Sequence, residues 1–322
     1  MSFLKSIIPT NLNEEKEKFL KDKTYNPQFI YKEVIDQKKL SKYKVAKKNY
    51  VPVAEAILKK AYFGRNEKEL LLMRGPVVKQ KDVENAINTF LKMHRLDKKI
   101  KLVSSSSFAV RTSITPKNIK LRLPTNYRKE DLIGMLYHEI GTHALRYVNY
   151  EQQPWFKKKK KYDFEDYLIT EEGLASLHAL IPRSYKSAYT PAMVYLAAVK
   201  GQNSSFAQTY QMLNQYIQDP QKCWRVTYRQ KRGLEDTSKP GGYAKDLVYL
   251  QGIIEVYGWL SKHNFDITNL YFGKMSYKDT KKALDLNPNF IPQLPSFFSL
   301  NKEKYAKEIK AIGKFNGFDN ID

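Results

Sequence analysis

Residues 132–146 read LIGMLYHEIGTHALR, an apolar stretch that carries two histidines and a glutamate. Its apolar residues recur at helical spacing, so the stretch predicts a helix. His138 and His143 are five residues apart, and Glu139 follows the first histidine directly. Two histidines with an adjacent carboxylate on one helix are typical of a hydrolytic metal site.

The spacing of these histidines departs from the usual pattern of i and i+4. In a regular α-helix a five-residue step turns His143 roughly 140° away from His138, too far for both to reach one ion. A single π turn absorbs one residue, and such turns are frequent at functional sites. Gly141 lies between the histidines and makes local deformation easy. We therefore predict a distorted helix between His138 and His143.

A third ligand is needed, because catalytic zinc usually has three protein ligands and one open position. Residues 163–176 read DFEDYLITEEGLAS and place Glu171 and Glu172 at the front of a second apolar helix. A glutamate on a second helix complements two helical histidines. Carboxylates are also favoured at a helix N-terminus by the helix dipole, so spacing alone leaves both interpretations open.

These motifs resemble the QEGLA-motif metallopeptidase family, which includes the microtubule-associated tyrosine carboxypeptidases. The resemblance rests on HEIGTH at 138–143 and EEGLA at 171–175, and continues through blocks at 149–154, 223–226, 232–233 and 236–252. It implies that His138, His143 and Glu172 bind one zinc ion and that Glu139 is the general base. Glu171 stands where the family motif has Gln, so the choice between Glu171 and Glu172 as ligand stays open, with the motif position favouring Glu172.

The fold class that follows is α+β: a mostly helical, zincin-like metallopeptidase with a small antiparallel sheet beside the zinc helix. Helical patterns lie near 52–63 and 80–95, and most of the C-terminal half is helical. Three alternating runs at 99–103, 108–114 and 118–123 predict the sheet. We expect residues 1–45 to form an N-terminal extension or peripheral helix and 46–322 to form a single metallopeptidase domain.

Charge is the second clue, because 56 Lys and Arg against 33 Asp and Glu give a formal net charge of +23. Such a field attracts acidic partners. No helix-turn-helix, zinc-finger or RNP pattern is visible, which disfavours nucleic acid. The basic run 157–161 lies between the two motif helices. It either lines the approach to the site or is a solvated insertion, and the sequence leaves that choice open.

The cellular location and the burial of the remaining histidines are predicted from simpler signals. Cys223 is the single cysteine, and the chain has no signal-peptide pattern and no run of eighteen apolar residues, so we expect a cytoplasmic protein without a membrane span. His178 is expected to be a buried histidine rather than a group that orients a ligand or substrate. His94 and His263 are expected at the surface.

Substrate-binding candidates come from cationic spacing within the family-like blocks. Arg225, Arg229 and Arg232 fall on one helix face, and an arginine fork can bind a carboxylate through two hydrogen bonds. Lys245 and Tyr249 form another i, i+4 pair. A solvated cationic face is the plain alternative. The candidates for substrate binding are Arg225, Arg232, Lys245 and Tyr249.

The function that the resemblance implies is a zinc metallocarboxypeptidase acting on an acidic polypeptide tail. Removal of a C-terminal tyrosine from α-tubulin is the implied reaction, with microtubules as a partner. One alternative is a bacterial-type family member with an unknown peptide substrate. The other is a basic protein that binds microtubules or nucleic acid and has an inert metal site.

Overall fold

The computed structural model describes residues 3–43 and 50–321. The chain forms two compact units, Met1–Leu71 with Ala188–Gln251, and Leu72–Ser187 with Gly252–Asp322. The predicted domain boundary between residues 45 and 46 lies outside the described residues and stays a prediction. None of the described helices has the length and hydrophobicity to cross a lipid bilayer.

The first unit is helical, and its core is rich in aromatic rings. The Phe19 ring, fully buried, lies 4.9 Å from Phe206 and 4.8 Å from Tyr210 between centroids. The helix predicted near 52–63 is confirmed at Val51–Tyr62. The other helices of this unit are Phe3–Ser6, Leu12–Lys21, Gln37–Leu40, Tyr189–Gly201, Phe206–Ile217 and Pro220–Lys231, with a 3₁₀ turn at Ala244–Asp246.

The second unit contains the sheet and both motif helices. The helix predicted near 80–95 is confirmed at Gln80–Met93. Two helices, Glu67–Leu72 and Leu247–Lys262, include two of the three points where the chain passes between units. The remaining helices are Lys129–His138, Leu145–Glu151, Leu168–Leu180, Thr280–Leu286, Ser296–Ser299 and Lys302–Asn316, with 3₁₀ turns at Lys159–Tyr162, Thr268–Phe272, Tyr277–Asp279 and Phe318–Asn320.

The three-stranded sheet is mixed. Strands β1 (Lys101–Ser105), β2 (Thr112–Ile114) and β3 (Asn118–Arg122) lie in the order β1-β3-β2, with β3 parallel to β1 and antiparallel to β2. The prediction of a wholly antiparallel sheet is therefore wrong for β1. The short turn between β2 and β3 makes that pair antiparallel. Alternating burial, seen in β3 at Ile119 and Leu121, is the same for either strand direction and could not reveal which neighbour β1 joins.

Two helices position the candidate site. We call residues 129–151 the histidine helix and Leu168–Leu180 the carboxylate helix. They cross closely at Gly134, where an added Cβ would lie only 2.7 Å from the carbonyl oxygen of Ala179. Strand β2 packs against the middle of the histidine helix. The sheet and the carboxylate helix therefore both contact the segment that carries the two histidines.

This crossing predicts a specific cost for Gly134→Ala. The extra methyl group would force the two helices apart and lower the free energy of unfolding by about 1–3 kcal/mol. The matched control is Gly258→Ala, on helix Leu247–Lys262, where an added Cβ meets nothing within 4 Å. Urea denaturation compares the two variants. Equal midpoints for both would contradict the close crossing.

Candidate metal centre

The histidine helix is interrupted by a π segment at Glu139–Ala144, as the five-residue spacing predicted. Because a π turn bonds residue i to residue i+5, side chains five residues apart lie on the same side. The Nε2 atoms of His138 and His143 are 3.1 Å apart. Gly141 fits this segment because an added Cβ there would lie 2.6 Å from the Phe297 ring.

Side chains stabilise the backbone of the π segment. The Thr142 hydroxyl donates a hydrogen bond to the Tyr137 carbonyl at 2.8 Å. The Tyr271 hydroxyl donates to the Gly141 carbonyl at 2.6 Å. Thr142, Tyr271 and Gly141 are buried, so the Gly141 carbonyl would lack water as an alternative partner. The distorted turn is therefore supported from outside the helix as well as by its own sequence.

Three potential ligands face one another at this turn. The Glu172 Oε2 atom lies 4.0 Å from His138 Nε2 and 3.8 Å from His143 Nε2. Tetrahedral zinc with ligand bonds of about 2.0–2.1 Å separates its ligand atoms by about 3.3 Å. The three observed separations are close to this value, and two imidazoles with one carboxylate are a donor set that zinc accepts. His138, His143 and Glu172 therefore fit one ion, and three protein ligands leave one of the four tetrahedral positions to another ligand.

The far sides of the imidazoles are also hydrogen-bonded. His143 Nδ1 lies 2.7 Å from Glu171 Oε1, which leaves Nε2 to face Glu172 and His138. The His138 imidazole is hydrogen-bonded to the backbone of Ala175. Contacts of this kind orient metal-binding histidines and set their tautomer. Burial, together with His143, lowers the pKa of His138 to about 4, so this ring is neutral and able to bind metal at pH 7.

Glu171 occupies a different position from Glu172. Both of its oxygens accept hydrogen bonds, one from Lys274 Nζ at 2.7 Å and the other from Arg146. Burial alone would raise the pKa of Glu171, but Lys274 and Arg146 hold it well below the usual value, so the carboxylate is charged. Arg146 is fully buried and also donates to the carbonyls of Leu270 and Met275. Glu171 thus links His143 to a buried cationic pair.

Glu139 opens the π segment directly after His138, and its side chain is half-buried. In residues 3–43 and 50–321, no hydrogen bond or salt bridge engages its carboxylate. The carboxylate of Glu171, in contrast, is fully occupied by His143, Lys274 and Arg146. Of these two acids, Glu139 is the one able to accept a proton from a bound molecule.

The predicted substrate-binding residues belong to the first unit. Arg225 is exposed on helix Pro220–Lys231, and Arg232 directly follows that helix. Lys245 lies in the turn Ala244–Asp246, and Tyr249 lies on helix Leu247–Lys262. Their role in binding stays a prediction. Arg229, the third arginine of that helix face, donates to the Asp246 carboxylate at 2.9 Å.

The other histidines divide into one wrong and two confirmed predictions. His94 is buried rather than exposed, because Ser296 donates its backbone N–H to His94 Nε2 at 3.0 Å from a distant part of the chain. His263 is exposed. His178 is fully buried, 2.8 Å from the Thr142 hydroxyl and 2.9 Å from the Tyr305 hydroxyl.

Sequence reasoning missed Arg146 and Lys274. Arg146 had a usable signal, since it lies three residues after His143 within an apolar helix. A charged residue at such a position has to be paired when it is buried. Lys274 had no comparable local signal, and only the fold brings it to Glu171.

The sequence also matches a family of known proteins over most of its length. The family model described as microtubule-associated tyrosine carboxypeptidase matches residues 17–312. Microtubule-associated tyrosine carboxypeptidase 1 of Mus musculus is 32% identical over 99% of this chain and 70% of its own length. The Homo sapiens protein of that name is 31% identical over 99% of this chain and 69% of its own length.

A solved structure shares the fold at low sequence identity. It is a chain from Colwellia psychrerythraea provisionally described as a lipoprotein, with a TM-score of 0.51 and 10% identity. The match covers 88% of this chain and about half, 54%, of that one. The α+β class is confirmed by the helices and the small sheet, whereas likeness to zincins stays a prediction.

The buried network around Glu171 predicts a pH-dependent effect of Glu171→Gln in metal-free protein. Removing the carboxylate leaves Arg146 and Lys274 unpaired, which should lower the free energy of unfolding at pH 7 by about 3–5 kcal/mol. Because the folded-state pKa of Glu171 lies below its ordinary value of 4.5, its contribution is present above pH 4.5 and is lost as pH falls below it.

Urea denaturation at pH 7 and at successively lower pH, with a chelator present, measures this difference. The gap between wild type and Glu171→Gln should narrow as the pH falls. The control is Glu165→Gln, since Glu165 is 54% exposed and should change stability by less than about 0.5 kcal/mol. A constant gap across the pH range would contradict the charged state assigned to Glu171.

Proposed function

Because the chain belongs to the microtubule-associated tyrosine carboxypeptidase family, we propose that it is a zinc metallocarboxypeptidase that removes a C-terminal residue from an acidic polypeptide. Family membership supports a carboxypeptidase activity. The single observation that carries the proposal is the meeting of His138, His143 and Glu172, whose ligand atoms all lie within 4.8 Å of one another. These three residues would bind the zinc ion.

The proposed mechanism assigns one role to each group. Bound zinc would polarise the scissile carbonyl and make water more acidic. As the oxygen of the attacking water bonds to the carbonyl carbon, Glu139 accepts a proton from that water. Glu139 then gives that proton to the leaving amine as the C–N bond breaks. Glu171 acts through His143, since it fixes which imidazole nitrogen faces the ion.

The proposed substrate is a tyrosine-ended acidic tail such as that of α-tubulin, reached on cytoplasmic microtubules. The names of the relatives support both the terminal tyrosine and the microtubule. The net charge of +23 supports an acidic partner, because a strongly positive field raises the rate of encounter with a negative chain.

The metal assignment predicts one zinc ion per chain and its loss in His143→Ala. Removing a ligand leaves two protein donors, too few for a stable catalytic site. The matched control is His263→Ala, because His263 is exposed and should leave zinc content unchanged. Elemental analysis after dialysis measures the zinc content. Equal zinc content in both variants would contradict the proposed ligand set.

The base assignment predicts that Glu139→Gln keeps its zinc and loses activity by about 10²–10⁴-fold, since a glutamine cannot accept the proton. Mass spectrometry of purified tubulin incubated with each protein measures loss of the terminal tyrosine. Glu165→Gln is the control of equal charge change at an exposed position and should match wild type. Full activity of Glu139→Gln would refute the base. If the protein cleaved other acidic peptides but not tubulin, the proposed chemistry would stand and the proposed substrate would be wrong.

A further inference from the structure

The basic run 157–161 is an anchored loop in which one lysine differs from the rest. Lys159 is half-buried, whereas the other four lysines are exposed. Trp155, just before the run, is fully buried, and the Phe164 ring lies 5.0 Å from it after the run. Both ends of the loop are therefore packed into one cluster, and the loop presents Lys159 inward.

The Lys159 ammonium lies between two tyrosine rings. Its Nζ atom is 3.4 Å from the Tyr167 centroid and 4.7 Å from the Tyr150 centroid. Tyr150 belongs to the histidine helix. Tyr167 directly precedes the carboxylate helix, where its carbonyl accepts the Glu171 N–H at 2.9 Å. The elements that bear the candidate metal ligands therefore also form the cage around this cation.

No salt bridge or hydrogen bond engages the Lys159 ammonium group in the described parts of the chain, and the carboxylates of Glu171 and Asp166 act on it only at longer range. Two nearby cations, Arg146 and Lys274, share the single negative charge of Glu171, so Glu171 leaves no negative charge to balance Lys159. The carboxylate of Asp166 is exposed and accepts the Leu168 N–H at 2.8 Å. The aromatic faces compensate only in part for the lost hydration of Lys159.

The electrostatic environment of Lys159 agrees with this geometry. Burial and the charge of Arg146 lower the pKa of Lys159 to about 7. An ammonium that is costly to keep charged would be stabilised by an incoming anion, which restores the lost electrostatic partner. The cage is thus prepared for a carboxylate.

We propose that Lys159 binds the free C-terminal carboxylate of the substrate, an inference that rests on the proposed carboxypeptidase function. An enzyme that removes one residue has to hold the terminal carboxylate at a fixed distance from the scissile carbonyl. A charged hydrogen bond from a caged ammonium provides such a contact. The rings of Tyr150 and Tyr167 restrict the lysine side chain, so little conformational freedom is lost on binding.

The test uses two acidic peptides of identical sequence ending in tyrosine, one with a free carboxylate and one with a C-terminal amide. For the zinc-loaded wild type, we expect the acid to be preferred by about 10- to 100-fold, as for loss of a hydrogen bond to a charged group. Lys159→Met should raise KM for the acid by a similar factor, leave kcat nearly unchanged and abolish the preference. Lys159→Arg should keep most of the preference for the acid over the amide.

Lys160→Met is the matched control, because Lys160 carries the same charge one residue away and is exposed. It should behave as wild type. Binding is measured separately by fluorescence anisotropy with Glu139→Gln protein, with and without Lys159→Met. If the acid binds in preference to the amide through Lys159 but wild type cleaves neither, the proposed chemistry fails while the carboxylate site stands.

Two results would overturn the inference. The first is a wild type that binds acid and amide equally, which needs no variant and so does not depend on folding. The second is a Lys159→Met variant that weakens binding of the acid and of the amide by the same factor. That result would mean that Lys159 contacts an acidic side chain of the peptide. If Lys159→Met does not fold, Lys159→Gln replaces it, and the wild-type comparison still decides.

Discussion

One extra residue in a helical turn is the constraint on which the candidate site depends. In a regular helix His143 would point away from His138, and no rearrangement of Glu172 could bring all three to one ion. The π segment Glu139–Ala144 removes that obstacle and leaves the Nε2 atoms 3.1 Å apart. The Thr142 hydroxyl donates to the Tyr137 carbonyl just before the segment, and the Tyr271 hydroxyl donates to the Gly141 carbonyl within it, so the segment and the fold around it both stabilise the distortion.

The second determinant of the candidate site is the group of charged side chains around Glu171, behind the His143 imidazole. Glu171 accepts hydrogen bonds from Arg146 and Lys274 while it orients His143, so the adjacent glutamates Glu171 and Glu172 have separate positions and separate proposed roles. Their adjacency on one helix turns the two carboxylates in different directions. In the proposed enzyme, Lys159 would complete this arrangement by adding a cation that is left for the substrate.

The sequence predicted the parts of the site that local periodicity controls. The spacing of His138 and His143 required a deformed helix, and the mostly helical class followed from apolar periodicity. It could not predict the pairing of β1, because alternating burial is independent of strand direction. Nor could it predict the burial of His94 or the position of Lys274, since both depend on segments far along the chain. Features that depend on contacts between distant segments leave no pattern in the local sequence.

The most direct measurement is a crystal structure of the zinc-loaded protein with anomalous diffraction recorded at the zinc edge. The account predicts one strong peak about 2.0–2.2 Å from His138 Nε2, His143 Nε2 and a Glu172 oxygen. It also predicts a π turn at residues 139–144, with Glu171 on the opposite side of His143. A regular α-helix there with the imidazoles apart, or a zinc ion bound elsewhere, would contradict the account.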